Sequence, residues 1–125
     1  MREGEWRLVA VRGATTVEAD TAGRIGENTG ELLEEMMKRN EIREETIVSI
    51  IFTATPDLVS DFPAVAARNL GLAQVPLLCS QEIPVTGSVE RCIRVLMHFY
   101  TVRPRSEIHH VYLRGARQLR TDLPE

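Results

Sequence analysis

Apolar positions recur along this chain in two alternating rhythms. Trp6 to Val11 is a short apolar run with β-branched members that ends at Arg12-Gly13, and it predicts a first strand followed by a loop at Thr15-Thr16. Asp20 or Thr21 can then cap a helix running to about Arg39. Ile25, Leu32, Leu33, Met36 and Met37 recur there at helical spacing, with Glu31, Glu34, Glu35 and Lys38 on the wet side. Gly23, Gly26 and Gly30 weaken its first half by about 1 kcal/mol each relative to alanine, and Asn40 offers a left-handed stop.

Ile47 to Thr53 is nearly continuous in apolar residues and predicts a strand covered on both faces, ending at the turn Thr55-Pro56-Asp57. Asp61 caps a short helix that carries Pro63 in its first turn and closes at Gly71. Val75 to Cys79 predicts a third strand, with Pro76 placing it at an edge or a strand start. Beyond the loop Pro84–Gly87, Ser88 caps a predicted third helix. Val89, Cys92, Ile93, Leu96, Met97 and Tyr100 form its apolar face. Arg103-Pro104 breaks that pattern, and Ile108 to Leu113 predicts a fourth strand.

The predicted order is β-α-β-α-β-α-β. It describes an α/β (α+β) chain, a single small domain over residues 1–125 with a mixed four- or five-stranded sheet flanked by helices, and a flexible tail from about residue 120. So small a sheet can leave one face open, which points to self-association.

Composition narrows the functional classes. The chain has 125 residues, 43% hydrophobic and 26% charged, which are globular values for one domain. No apolar run approaches the ~18 residues of a membrane span, and the charged start Met1-Arg2-Glu3-Gly4-Glu5 does not read as a signal peptide. Cys79 and Cys92 lie outside any CxxC spacing and read as free thiols of a cytoplasmic protein. Residues 1–60 carry 7 basic and 12 acidic groups, and residues 61–125 carry 8 and 6, so no block is basic enough for nucleic-acid binding. The basic residues are fourteen arginines and one lysine, Lys38. An arginine fork grips carboxylates in a bidentate way that lysine cannot, though genomic bias also produces such a ratio.

Motifs for nucleophilic, phosphate-binding or metal chemistry are missing from the sequence. Gly23, Gly26 and Gly30 have the wrong spacing for a dinucleotide fingerprint, and there is no Walker A, G-x-S-x-G or H-E-x-x-H pattern. His109 and His110 are adjacent on a predicted strand, so they point to opposite faces and form no metal pair. What remains are polar residues near element ends: Arg12, Glu82, Arg94, Tyr112 and Phe62. Singly, each fits an unspecialised role: surface charge, solvated helix face, half-buried tyrosine or helix staple.

In combination they resemble one family. The blocks are Val11-Arg12-Gly13-Ala14-Thr15-Thr16-Val17-Glu18, Phe52-Thr53-Ala54-Thr55-Pro56-Asp57-Leu58 and Asp61-Phe62-Pro63-Ala64. They continue with Val75-Pro76-Leu77-Leu78-Cys79-Ser80-Gln81-Glu82, Cys92-Ile93-Arg94-Val95-Leu96 and His110-Val111-Tyr112-Leu113. In this order they resemble the monofunctional, trimeric α/β pseudo-barrel class of chorismate mutase, over Val9 to Leu123. The resemblance implies an isomerase of aromatic amino-acid biosynthesis that rearranges chorismate to prephenate without cofactor, metal or covalent intermediate. It also implies a homotrimer whose active sites lie between subunits.

By the same resemblance, Arg12 and Tyr112 would bind the enolpyruvyl carboxylate, and Arg94 would meet the ether oxygen as the C–O bond breaks. Glu82 and Cys79 would bond the ring hydroxyl, and Phe62 and Leu119 would supply apolar walls. Arg68 and Arg120 would face the ring carboxylate. Two positions depart from the family pattern: Val65 stands where some relatives have lysine, and Leu78 replaces a threonine, leaving its backbone as the substrate contact. Two other classes fit the same arginines, a non-catalytic carboxylate-binding module and an interaction domain with solvated arginines. Conversion of added chorismate separates them from an enzyme.

Overall fold

The computed structural model describes residues 5–119. Five strands appear among them: β1 (Arg7–Thr16), β2 (Ile47–Ala54), β3 (Leu77–Gln81), β4 (Cys92–Thr101) and β5 (Val111–Tyr112). Two α-helices accompany them, α1 (Ala22–Arg39) and α2 (Ala64–Asn69). The strands form one sheet in the order β3-β2-β4-β1-β5. Central β4 runs antiparallel to β1 and β2, while edge strands β3 and β5 run parallel to β2 and β1. The mixed sheet and single small domain agree with the sequence; the element order does not.

The expected third helix is strand β4. From Ile93 onward burial alternates: Ile93, Val95, Met97, Phe99 and Thr101 are buried, and the residues between them face the other side. The helical reading arose because Leu96 and Tyr100 are also apolar, filling positions that an alternating strand with one wet face would leave polar. β-Branched and aromatic residues together with ladders on both sides settle the outcome, since β4 pairs with β1 along its whole length and with most of β2. The β2–β4 ladder contains a bulge, with Ile47 opposite Phe99 but Ser49 opposite His98, so Val48 is the extra residue.

Helix α1 begins as expected, with the Thr21 hydroxyl accepting the Arg24 N–H at 3.1 Å. Asn40 ends it differently from the expectation. Its φ is −111°, and the side chain stops the helix instead, with Nδ2 donating to the Met36 carbonyl at 2.8 Å. Strand β1 is longer than its apolar run, because Gly13 allows close approach. A Cβ there would run into Met36 Sδ and Leu32 Cδ1 of α1.

Both helices lie on one side: α1 packs on β1, β5 and α2, and α2 also packs on β3. Val11, Ile50, Phe52, Met97 and Phe99 of the sheet meet Leu32, Leu33 and Met36 of α1 in the main core. Neither α-helix covers the other face of the sheet, where the short 3₁₀ helix Arg114–Leu119 packs at one end against Ala14 and Cys92. The rungs of that face read Leu78–Ile51–Leu96–Arg12 and Ser80–Thr53–Arg94–Ala14. Leu78 is 62% exposed there, Leu8 49% and Tyr100 47%, an apolar surface of the kind that partners cover.

Candidate active site

Strand parity assembles a cleft of about 300 Å³ on the open face, lined by Arg12, Thr53, Glu82, Arg94, Tyr112 and Leu119, among others. Arg12 and Arg94 alternate with the buried positions of β1 and β4, so the side chains flanking them anchor the core while they point away from it. Arg94 stands opposite Thr53 on one side and Ala14 on the other, and Ala14 in turn pairs with Tyr112. The small Ala14 leaves room between the two larger groups. Glu82 immediately follows β3, and its N–H donates to the Ala54 carbonyl at 2.9 Å, continuing the pairing with β2 past the strand end.

Charge in the cleft is organised around Glu82. Its Oε2 accepts a short hydrogen bond from the Thr53 hydroxyl and lies 3.5 Å from Arg94 Nε. The Arg94 side chain keeps 47% of its surface exposed and Glu82 24%, so both remain available to a ligand. Among the described residues nothing pairs with the Arg12 guanidinium, while its backbone N–H donates to His110 Nδ1 at 2.9 Å. Tyr112 is buried with Ala14, Cys92 and Ala116, with Leu119 packed against them. Burial pushes the Cys92 thiol pKa up, which leaves it a packing residue. Two guanidinia, a carboxylate and a phenol around apolar walls suit a small anion that also carries a hydroxyl.

The remaining expected residues lie elsewhere in the chain. Phe62 and Cys79 line a second cleft of about 430 Å³ together with Asp61, Pro63 and Ser80. The Cys79 side chain packs against the core on the helix side of β3. Leu78 projects from the open face of that edge strand, and Arg68 is exposed in the last turn of α2. Arg120 and the expected flexible tail lie outside the described residues.

Three positioning features escaped the sequence reading. Thr53 is the first, for its place beside Arg94 emerges only when 92–101 is a strand. Asp20 is the second. Its Oδ1 accepts the N–H groups of Val59 and Ser60, both at 3.0 Å, and so ties the loop that carries Phe62 to the entrance of α1. Burial opposes its ionisation, yet the hydrogen bonds from Ser60 and Val59 prevail and lower its pKa. The third is a latch at the start of β4. The Thr55 hydroxyl donates to Asp57 Oδ1 at 2.5 Å and accepts the Cys92 N–H at 2.9 Å. Asp57 Oδ2 accepts the Arg91 N–H at 2.9 Å and helps hold Arg91 at its φ of +46°.

Comparison with known proteins places this geometry. The family model described as chorismate mutase type I matches residues 8–123. The chorismate mutase AroH of Thermus thermophilus is 50% identical over 114 residues, covering 90% of this chain and 93% of that protein. The chorismate mutase AroH of Bacillus subtilis (strain 168) is 46% identical over 114 residues, 90% of each chain. The solved chorismate mutase from Clostridium thermocellum superposes with a TM-score of 0.87 at 51% identity, covering 88% of this chain and 98% of that one.

Proposed function

The chain belongs to the type I chorismate mutase family and is an isomerase with chorismate mutase activity, and we propose that the cleft performs the rearrangement to prephenate by restraint and electrostatics alone. The observation that carries this reading is the meeting of Arg12, Glu82, Arg94 and Tyr112 in one cleft.

A Claisen rearrangement moves electrons within one molecule, so the protein has to fold a flexible substrate and stabilise the charge that develops. Arg12 and Tyr112 hold the enolpyruvyl carboxylate and keep that side chain over the ring in its reactive conformer, which removes conformational entropy before the chemical step. Arg94 faces the ether oxygen, where negative charge grows as the C–O bond breaks ahead of C–C formation. A donor that strengthens only as this charge appears lowers the barrier instead of merely tightening binding. Glu82 accepts the ring hydroxyl, and Thr53 and Arg94 hold its carboxylate at the cleft.

Phe62, Leu78, Cys79 and Arg68 complete the pocket from a second subunit in a homotrimer. Their placement away from the first cleft supports this division, as do the apolar residues on the uncovered sheet face. Cys79, whose side chain faces its own core, joins Glu82 at the hydroxyl through its backbone, Leu78 contributes its backbone, and Phe62 and Leu119 wall the ring. Arg68 and Arg120 meet the ring carboxylate at the mouth. Free thiols fit a cytoplasmic enzyme. The test is direct: purified protein mixed with chorismate removes its ultraviolet absorbance and yields prephenate. Saturable binding without conversion would reduce the protein to a carboxylate-binding module.

A further inference from the structure

The β1–β5 ladder is two residues long, pairing Gly13 with Val111 and Ala14 with Tyr112, and it stops short of Arg12. A strand residue in that position would ordinarily bond a backbone carbonyl. Here the acceptor is a side chain, His110 Nδ1, 2.9 Å from the Arg12 nitrogen. The preceding residue explains the substitution. Buried Asn40 at the end of α1 accepts the His109 N–H at 2.7 Å and donates to the His109 carbonyl at 2.9 Å. That clamp turns the His109 backbone toward α1 and presents the next side chain, His110, to β1.

We propose that His110 is a positioning residue. Its neutral imidazole, protonated on Nε2, fixes the Arg12 backbone and thereby the guanidinium that grips substrate, and acid releases that hold by converting Nδ1 from acceptor to donor. The inference rests on the substrate-binding role assigned to Arg12. The charged or titratable groups acting on the ring are Arg12 from β1 and His109 from its own segment; Asn40 on the α1 side is uncharged. Desolvation first, then the charges of Arg12 and His109, hold the imidazole pKa below its ordinary 6.5, so the ring is neutral at physiological pH.

The experiment measures kcat and KM for chorismate from about pH 5 to pH 7.5 in wild type, His110→Phe, His110→Asn and Arg12→Ala, with circular dichroism as the folding check. In wild type, KM should climb about 3- to 10-fold toward the acid end with kcat changing less, the size expected from one lost hydrogen bond. His110→Phe keeps a ring but no acceptor, so its KM should be raised by a similar factor at every pH. His110→Asn places an uncharged acceptor near the Nδ1 position, so it should recover most of the affinity and lose the acid dependence. If His110→Phe fails to fold, the His110→Asn profile decides. A wild-type KM in His110→Phe, or an acid rise that persists in His110→Asn, overturns the proposal. An Arg12→Ala enzyme with unchanged KM overturns the parent assignment instead, whereas a damaged Arg12→Ala beside an unaffected His110→Phe overturns this inference alone.

Discussion

Glu82 and Arg94 meet across a strand that belongs to neither. Glu82 follows β3 and Arg94 lies on β4; β2 runs between them and contributes Thr53, whose hydroxyl bonds the same Oε2 that faces Arg94 Nε at 3.5 Å. The cation is therefore oriented by a carboxylate that is itself fixed by a hydroxyl, and each of the three can be tested separately.

Arg94→Lys should fold normally, because the side chain is half exposed and points away from the main core. Its turnover should fall about 10²–10³-fold, the cost of losing one oriented transition-state donor, since an ammonium does not reproduce the fork. Steady-state kinetics together with a thermal melt check this, and near-normal kcat would remove Arg94 from the reaction.

Glu82→Gln keeps the shape and removes the charge. Hydrogen bonds to charged groups are worth about 1.5–3 kcal/mol, so kcat/KM should drop about 10- to 10²-fold. Thr53→Val leaves the carboxylate in place but unsteadied, and its loss should be smaller, about 3- to 10-fold. A Thr53→Val loss exceeding that of Glu82→Gln would contradict this order of dependence.

Gly13→Ala tests the floor of the site without touching its chemistry. The added Cβ meets Met36 and Leu32, so α1 must shift or repack, at about 1–3 kcal/mol. The melting temperature should fall by several degrees, and an unchanged melt would mean that Met36 moves aside freely.

The proposed division of the site between subunits predicts complementation. In the proposed homotrimer Arg94→Lys damages the first cleft and Phe62→Glu the second, so each variant alone should be nearly inactive. Refolded together in equal amounts, the two variants should regain about a quarter of wild-type activity, because random mixing pairs an intact first cleft with an intact second one at that frequency. Activity no greater than the average of the separate variants would mean that Arg94 and Phe62 do not meet from different subunits.

The Asp20 clamp carries a pH signature. Its folded pKa lies below the ordinary 3.8, so the stability it lends the Phe62 loop is present above that value and lost as pH falls through the folded pKa. Asp20→Asn should abolish this acid-side loss, read as loop proteolysis or amide exchange at Val59 and Ser60. Equal protection of those amides in both proteins at neutral pH would show that the loop does not depend on the carboxylate.

The sequence disclosed more of the cleft lining than of the scaffold. Arg12, Glu82, Arg94 and Tyr112 were legible because their neighbours form a recognisable series, even while Arg94 was assigned to a helix. That helix failed for a specific reason: a central strand with apolar residues on both faces carries the helical spacing as well, and only partners on both sides decide between them. His110 and Thr53 could not be singled out from the chain alone. One acts through a backbone amide and the other across a strand pair, and both relationships exist only in three dimensions.

The bulge at Val48 shows how closely the interior and the cleft are bound to one counting rule. Alternate residues of β2 belong to different worlds: Ile50 and Phe52 to the core, Ile51 and Thr53 to the cleft. The extra residue at the strand's beginning lets Ile47 face the interior too without disturbing that parity. A residue gained or lost at Val48 can be absorbed where the ladder is already irregular. The same change between Ser49 and Thr53 would exchange the two faces downstream, turning Phe52 toward solvent and Thr53 into the oil. The tolerance of this strand to insertion should therefore end abruptly at Ser49, so that mutational drift in length is confined to the end farthest from Arg94.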